Sequence, residues 1–175
     1  IQLLETMKST IPTYGHHSLL TGLTGSNLSK RFGSLALRDL KSSGVEPMAI
    51  VSMLSALGSS KAIKIFHSFE EIYDNFELSS FSSAPTKFDP DLLHTISTKV
   101  LHSISLPTIK DDLKEIGIPE NKFIPFWEMA RDSITKRQDI MEIWNLCKNG
   151  PSIVELNEDT PYVKIAFELL PVPPH

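Results

Sequence analysis

The feature that most constrains the fold is a regular alternation of helix starts and helix stops along the chain. Glu46-Pro47, Asp89-Pro90 and Thr160-Pro161 each put proline at a first helical position, where its missing N–H is no loss. Ser43-Gly44, Gly58, Gly117 and Asn149-Gly150 supply residues suited to leaving a helix through positive φ. Between these signals the apolar residues recur at helical spacing. Ile1 to Met7 reads as the end of a helix, and Leu35, Leu37 and Leu40 begin a short one. After Pro47 the inward set is Ile50, Met53, Leu54 and Leu57. Ser68-Phe69-Glu70-Glu71 is a capping box that starts a helix running to about Phe76. Leu92, Ile96 and Val100, with Leu93 and Leu101 alongside, form the stripe after Pro90. A charged helix is expected over residues 105–116. Phe123, Phe126, Trp127, Ala130 and Ile134 make one face, and Ile140, Ile143, Trp144 and Cys147 another, as an antiparallel pair hinged near Lys136-Arg137. A last helix runs from Thr160-Pro161 to about Leu170. His16 to Leu20 is the one strand candidate ahead of the glycine-rich stretch that follows. The chain is therefore read as mainly α, in helical bundles after a short strand.

The 175 residues suffice for one large or two small domains, and 41% hydrophobic with 22% charged residues is ordinary globular composition. The longest apolar run, near residues 49–57, is interrupted by Ser52 and Ser55 and falls far short of the roughly 20 residues a spanning helix needs. No membrane partner is expected. The single cysteine, Cys147, excludes an internal disulfide framework, fits a reducing, cytoplasmic setting and is expected in the core. Net charge is -4, which argues against indiscriminate nucleic-acid coating, but it is unevenly placed. Residues 1–64 carry seven Lys/Arg against three acids, +4, and the remainder -8. Adjacent His16 and His17 on a strand point to opposite faces, and no carboxylate or thiol stands at ligand spacing, so no metal site is expected.

Chemistry concentrates in Asn27-Leu28-Ser29-Lys30-Arg31, flanked by Gly22, Gly25 and Gly33. A small loop with a hydroxyl and two adjacent cations suits a polyanion, and ATP is the candidate. Lys30 is a mobile point charge able to follow phosphate oxygens as charge redistributes, Ser29 adds a donor, and the glycines permit closure. The loop is not a P-loop, because no G-x-x-x-x-G-K-[ST] run is present. Arg38, Lys41, Lys61, Lys64, Lys87 and Lys99 are further cations able to touch an RNA backbone.

Six segments in order resemble bacterial glutamyl-tRNA synthetases. They are residues 17–22 (HSLLTG), 27–34 (NLSKRFGS), 37–40 (LRDL), 44–47 (GVEP), 57–60 (LGSS) and 84–90 (APTKFDP). The likeness is weaker after Leu106. It implies that the loop is the KMSKS signature of class I synthetases, at the end of a Rossmann-type catalytic domain. Ser29 and Lys30 then match its third and fourth positions and Leu28 the methionine. Asn27 replaces the first lysine and Arg31 the last serine. The implied domains are the end of the catalytic domain over 1–33, a stem-contact helical domain over 34–104 and the first part of an anticodon-binding region over 105–175. The implied reaction is activation of glutamate with ATP, accompanied by Mg2+, and transfer to tRNA(Glu) or tRNA(Gln), by a monomeric enzyme. The HIGH signature and glutamate pocket are expected upstream of Ile1 and further anticodon-reading helices beyond His175, so this stretch alone is expected to be inactive. Apart from the resemblance, the helical bulk, the acidic C-terminal two thirds and the lack of any nucleophile triad also fit a non-catalytic helical RNA- or protein-binding module.

Overall fold

The computed structural model describes residues 2–26, 28 and 36–150. The helix expected from Thr160 lies outside the described residues. In chain order the elements are α1 (Gln2–Thr6), β1 (Leu20–Thr21), α2 (Leu37–Ser42), α3 (Pro47–Leu54), α4 (Phe69–Asn75), β2 (Thr86–Lys87), α5 (Pro90–His102), α6 (Leu106–Glu115), α7 (Phe123–Ala130) and α8 (Asp139–Asn149). Short 3-10 turns occupy Leu78–Ser80, Glu120–Lys122 and Arg131–Ser133. The chain is mainly α, and backbone contacts divide it into two compact units, Ile1–Met141 and Glu142–His175. Every site discussed below belongs to the first.

Gly44, Gly58, Gly117 and Gly150 all have positive φ, but α3 ends at Leu54 with Ser55 as its C-cap, so Gly58 closes the turn after the helix and not the helix itself. Ser68 Oγ accepts from Glu71 N–H at 3.3 Å, while Glu71 Oε2 reaches back to His67 N–H at 2.9 Å, so both ends of the box are used. Asp89 caps α5 through Asp91 N–H at 3.0 Å and Leu92 N–H at 3.4 Å.

The inward faces differ from the expected ones at two helices. The buried stripe of α3 and the turn after it is Ala49, Ser52, Met53 and Ala56, and Leu54 is exposed. That of α5 is Leu93, Ile96, Ser97 and Val100, and Leu92 is exposed. Both stripes follow i, i+3, i+4, i+7 once a serine is counted inside. The serines are buried because each accepts a backbone N–H: Phe66 N–H to Ser52 Oγ at 3.0 Å, Glu46 N–H to Ser97 Oγ at 2.8 Å. α3 packs on α5, and Leu40, Val45 and Phe88 complete this core. Phe123, Phe126, Trp127, Ala130 and Ile134 are all buried, as their spacing predicts, and Trp127 Nε1 donates to the Ile104 carbonyl at 3.2 Å.

Two further expectations are corrected. The strand starts at Leu20 and not at His16, because its partner β2 offers only Thr86 and Lys87 before Phe88 enters the core and Asp89 begins α5. Cys147 is exposed, not in the core: beyond Trp144 every residue to Gly150 faces solvent among the described residues. No helix among the described residues is long and apolar enough to cross a membrane.

Candidate functional site

Ahead of the loop singled out in the sequence stands a strand pair. β1 runs parallel to β2 with Leu20 opposite Thr86, and Thr86 N–H and Phe88 N–H donate to the carbonyls of Leu19 and Thr21 at 2.8 Å each. Directly after β1, Gly22 N–H bonds Ser26 O and Gly25 N–H bonds Gly22 O, both at 2.8 Å, with Gly25 at φ +80°. This turn leads the chain to Asn27. Leu28 is 38% exposed. Asn27, Ser29, Lys30 and Arg31 lie outside the described residues.

The strand pair is tied to the helical body at Gly58. Ser18 is buried and its hydroxyl donates to Ser82 O at 2.7 Å. A Cβ on Gly58 would fall 2.3 Å from Ser18 Oγ and 3.1 Å from Thr86 Oγ1, and its φ of +91° is one that residues with side chains rarely adopt. The turn after α3 can therefore lie against the strands only because position 58 has no side chain.

Of the six cations expected to face RNA, Arg38 and Lys41 lie on α2, Lys87 on β2 and Lys99 on α5, all exposed. Lys61 and Lys64 share one cleft of about 280 Å³, floored by Ala56, Phe66, Ile72 and Phe76. Lys61 Nζ donates to Asn75 O at 3.0 Å and stands 3.9 Å from Glu77 Oε2. No cluster of three or more His, Cys, Asp or Glu that could hold a metal ion occurs among the described residues.

The charge arrangement that the sequence did not reveal is centred on Arg137. Its Nε donates to Glu46 Oε1 at 2.7 Å and its Nη2 to Glu46 Oε2 at 3.0 Å, a bidentate pair, while Nη1 donates to Asp112 Oδ2. The Glu46 side chain is 6% exposed and that of Arg137 37%. The Glu46 hydrogen bond, opposed by partial burial and aided by both carboxylates' charge, raises the guanidinium above its already high ordinary pKa. Next to it, Asp139 Oδ2 accepts from Thr135 N–H at 2.8 Å, Thr135 Oγ1–H at 2.9 Å and Lys136 N–H at 3.1 Å. Burial opposes ionisation of Asp139, but these donors and the Lys136 charge outweigh it, so its carboxyl titrates below the ordinary range. His102 Nε2 donates to Ile134 O at 2.7 Å. The segment from Ile134 to Asp139 is thus fixed at both ends.

Comparison with known proteins adds the following. Residues 1–95 match the family model described as tRNA synthetases class I (E and Q), catalytic domain. Glutamate–tRNA ligase 2 of Dinoroseobacter shibae is 41% identical over all 175 residues of this chain and 40% of its own length. Glutamate–tRNA ligase 2 of a Jannaschia species is likewise 41% identical, over 39% of its length. A crystal structure of a glutamate tRNA ligase from Elizabethkingia meningosepticum in complex with its amino acid superposes with a TM-score of 0.69 at 21% identity, covering 95% of this chain and 39% of that one. The chain spans about two fifths of the length of the curated relatives it matches.

Proposed function

The chain belongs to the class I tRNA synthetases of the E and Q type, and from that membership we propose that it serves a glutamate–tRNA ligase, which activates glutamate with ATP and passes it to tRNA. The observation that carries this reading is 41% identity to glutamate–tRNA ligases along the whole chain, including the stretch beyond the catalytic-domain match. Residues 1–33 are then the end of the catalytic domain, 34–104 the helices that contact the tRNA stem and 105–175 the start of the anticodon-binding region.

In this reading the Asn27–Arg31 loop binds the phosphates of ATP, and Mg2+ enters with ATP as part of the substrate. Attack of the glutamate carboxylate oxygen on the α-phosphorus forms glutamyl-adenylate and releases pyrophosphate. Negative charge grows on the leaving β- and γ-phosphates. Lys30, a compact ammonium on a flexible stem, follows that charge, while Ser29 donates a hydrogen bond. Arg31 supplies a second cation and offsets the lysine that Asn27 replaces. The strand pair and the Gly22–Ser26 turn give the loop an anchored root, and closure needs such a root.

The test is pyrophosphate exchange in the full-length enzyme with glutamate and tRNA present. Lys30→Ala is expected to lower kcat on the order of a hundredfold, about 3 kcal/mol for one lost transition-state contact. A rate within twofold of wild type removes Lys30 from the mechanism. The 175-residue chain by itself is expected to show no exchange above background.

A further inference from the structure

We propose that the cleft between the Ser43-Gly44 turn, one side of α5 and the Thr135-Lys136 segment is a binding site for a backbone phosphate of RNA, with Lys136 as its cation. The cleft measures about 350 Å³ and no acidic side chain lines it, in a chain whose net charge is -4. Its lining is hydroxyls, one imidazole and one ammonium. Of the hydroxyls, Ser43, Thr95 and Thr135 already donate to Leu40 O, Asp91 O and Asp139 Oδ2. Ser97, 2% exposed, accepts from Glu46 N–H and keeps its own proton to give, and Thr98 stands one residue on. Lys136, Ser97, Thr98 and His94, each with a proton to give, therefore line one space.

Lys136 is held there by its backbone. Asp139 fixes its N–H, His102 fixes the preceding Ile134 carbonyl, and Arg137 beside it is locked to Glu46. A Cβ on Gly44 would lie 2.9 Å from Lys136 Cβ, so the turn comes this close only as glycine. The Asp139 carboxylate is occupied by backbone and hydroxyl donors, and Lys136 makes no salt bridge within 4 Å to a described residue. The result is a rigid base under a mobile charge, the arrangement that suits a phosphate. A single ammonium in an open cleft holds a free anion weakly, whereas a polymer whose other phosphates are held elsewhere adds this contact at little further entropic cost.

The inference rests on the tRNA-ligase reading, and the experiment separates the two. A fluorescent glutamate tRNA transcript is titrated with the full-length enzyme at several salt concentrations between 50 and 200 mM. Lys136→Ala is expected to raise Kd roughly 3- to 10-fold and to reduce the slope of log K against log salt by about 0.9, and Lys136→Arg to restore both. Lys110→Ala, at an exposed lysine on α6 beside Glu120, is expected to change Kd less than twofold. Unchanged Kd and slope in Lys136→Ala, with wild type binding, overturn the cleft and leave the ligase reading intact. Weaker binding at an unchanged slope also overturns it, because a lost ionic contact must register in the salt dependence. Absence of tRNA binding by wild type removes both.

Discussion

Arg137→Met tests whether the ionic cluster is a structural clamp. The substitution keeps the apolar stem and removes three charge-assisted hydrogen bonds, two to Glu46 and one to Asp112. Glu46 bears most of the consequence: its side chain is 6% exposed, so its carboxylate is left with little water and no guanidinium. Breaking a fully buried pair from one side costs about 3–5 kcal/mol. The 37% exposure of Arg137 means that its outer side is screened, which lowers the expectation to about 2–4 kcal/mol. In a chain of this size that is a fall in Tm of roughly 5–12 °C. The converse change, Glu46→Leu, is expected to cost less, about 1–2 kcal/mol, because the half-open Arg137 rehydrates and retains Asp112. It removes no helix cap, since the Glu46 side chain makes no capping bond, and its N–H stays on Ser97. The double variant should be more stable than Arg137→Met alone, since no stranded charge remains. Urea unfolding followed by circular dichroism measures all three. Arg137→Met within 0.5 kcal/mol of wild type, or Glu46→Leu more damaging than Arg137→Met, would refute the assignment of Glu46 as the dependent partner.

Two further outcomes follow from the same geometry. Gly58→Ala is expected to destabilise by about 2–3 kcal/mol in urea unfolding, from its positive φ and from collision with Ser18 Oγ, which must give up Ser82 O; a loss below 0.5 kcal/mol would show that the strands do not press on the turn after α3. Asp139→Asn is expected to cost about 1 kcal/mol at pH 7. The folded carboxyl titrates below its ordinary 3.8, so its contribution is fully present above that value and disappears as pH falls through the lowered one. The gap between wild type and variant should thus close below about pH 4 in a pH series of melts, and a gap that stays constant to pH 3 contradicts the role.

What could be read from the sequence is what neighbouring residues decide among themselves. Ser68 with Glu71, Asp89 with Pro90 and the glycines at 44, 117 and 150 set helix ends locally and stand where they were expected, whereas α3 ends at Leu54, four residues before Gly58. The phosphate-binding role proposed for the loop around Lys30 is an inference of the same local kind, drawn from a contiguous run of residue types. The inward faces of α3 and α5 were not legible in this way, because Ser52 and Ser97 are buried as acceptors for N–H groups 14 and 51 residues away, and a rule that places serine outside shifts the whole stripe to Leu54 and Leu92. β1 escaped full detection because two-residue strands have no periodicity, and its pairing with Thr86 is a tertiary fact. Arg137 lies 91 residues from Glu46 and 25 from Asp112. Nothing in the spacing of single charges distinguishes such a cation from a solvated one; only burial of its partner does.

That contrast bears on which cations deserve a role in RNA binding. Arg38, Lys41, Lys61, Lys64, Lys87 and Lys99 were selected by charge alone, and the structure leaves them exposed and, except for the Lys61–Lys64 pair, without a shared cleft. Lys136 entered the sequence reading only as part of a helix hinge, yet its backbone is fixed by neighbours on both sides and no acidic side chain lines its cleft. A flexible surface lysine loses side-chain entropy when it meets a phosphate, about 1.5–2 kcal/mol at full immobilisation, and that loss offsets much of a screened ionic contact. Anchoring the backbone leaves this side-chain loss in place, but it removes the further cost of ordering the loop. The hydroxyls of Ser97 and Thr98 in the same lining are further donors that an isolated lysine lacks. On this reasoning the order of importance among the cations is set by the rigidity beneath each one. Lys136→Ala should therefore weaken tRNA binding more than the corresponding change at Lys87 or Lys99, although all three carry the same charge.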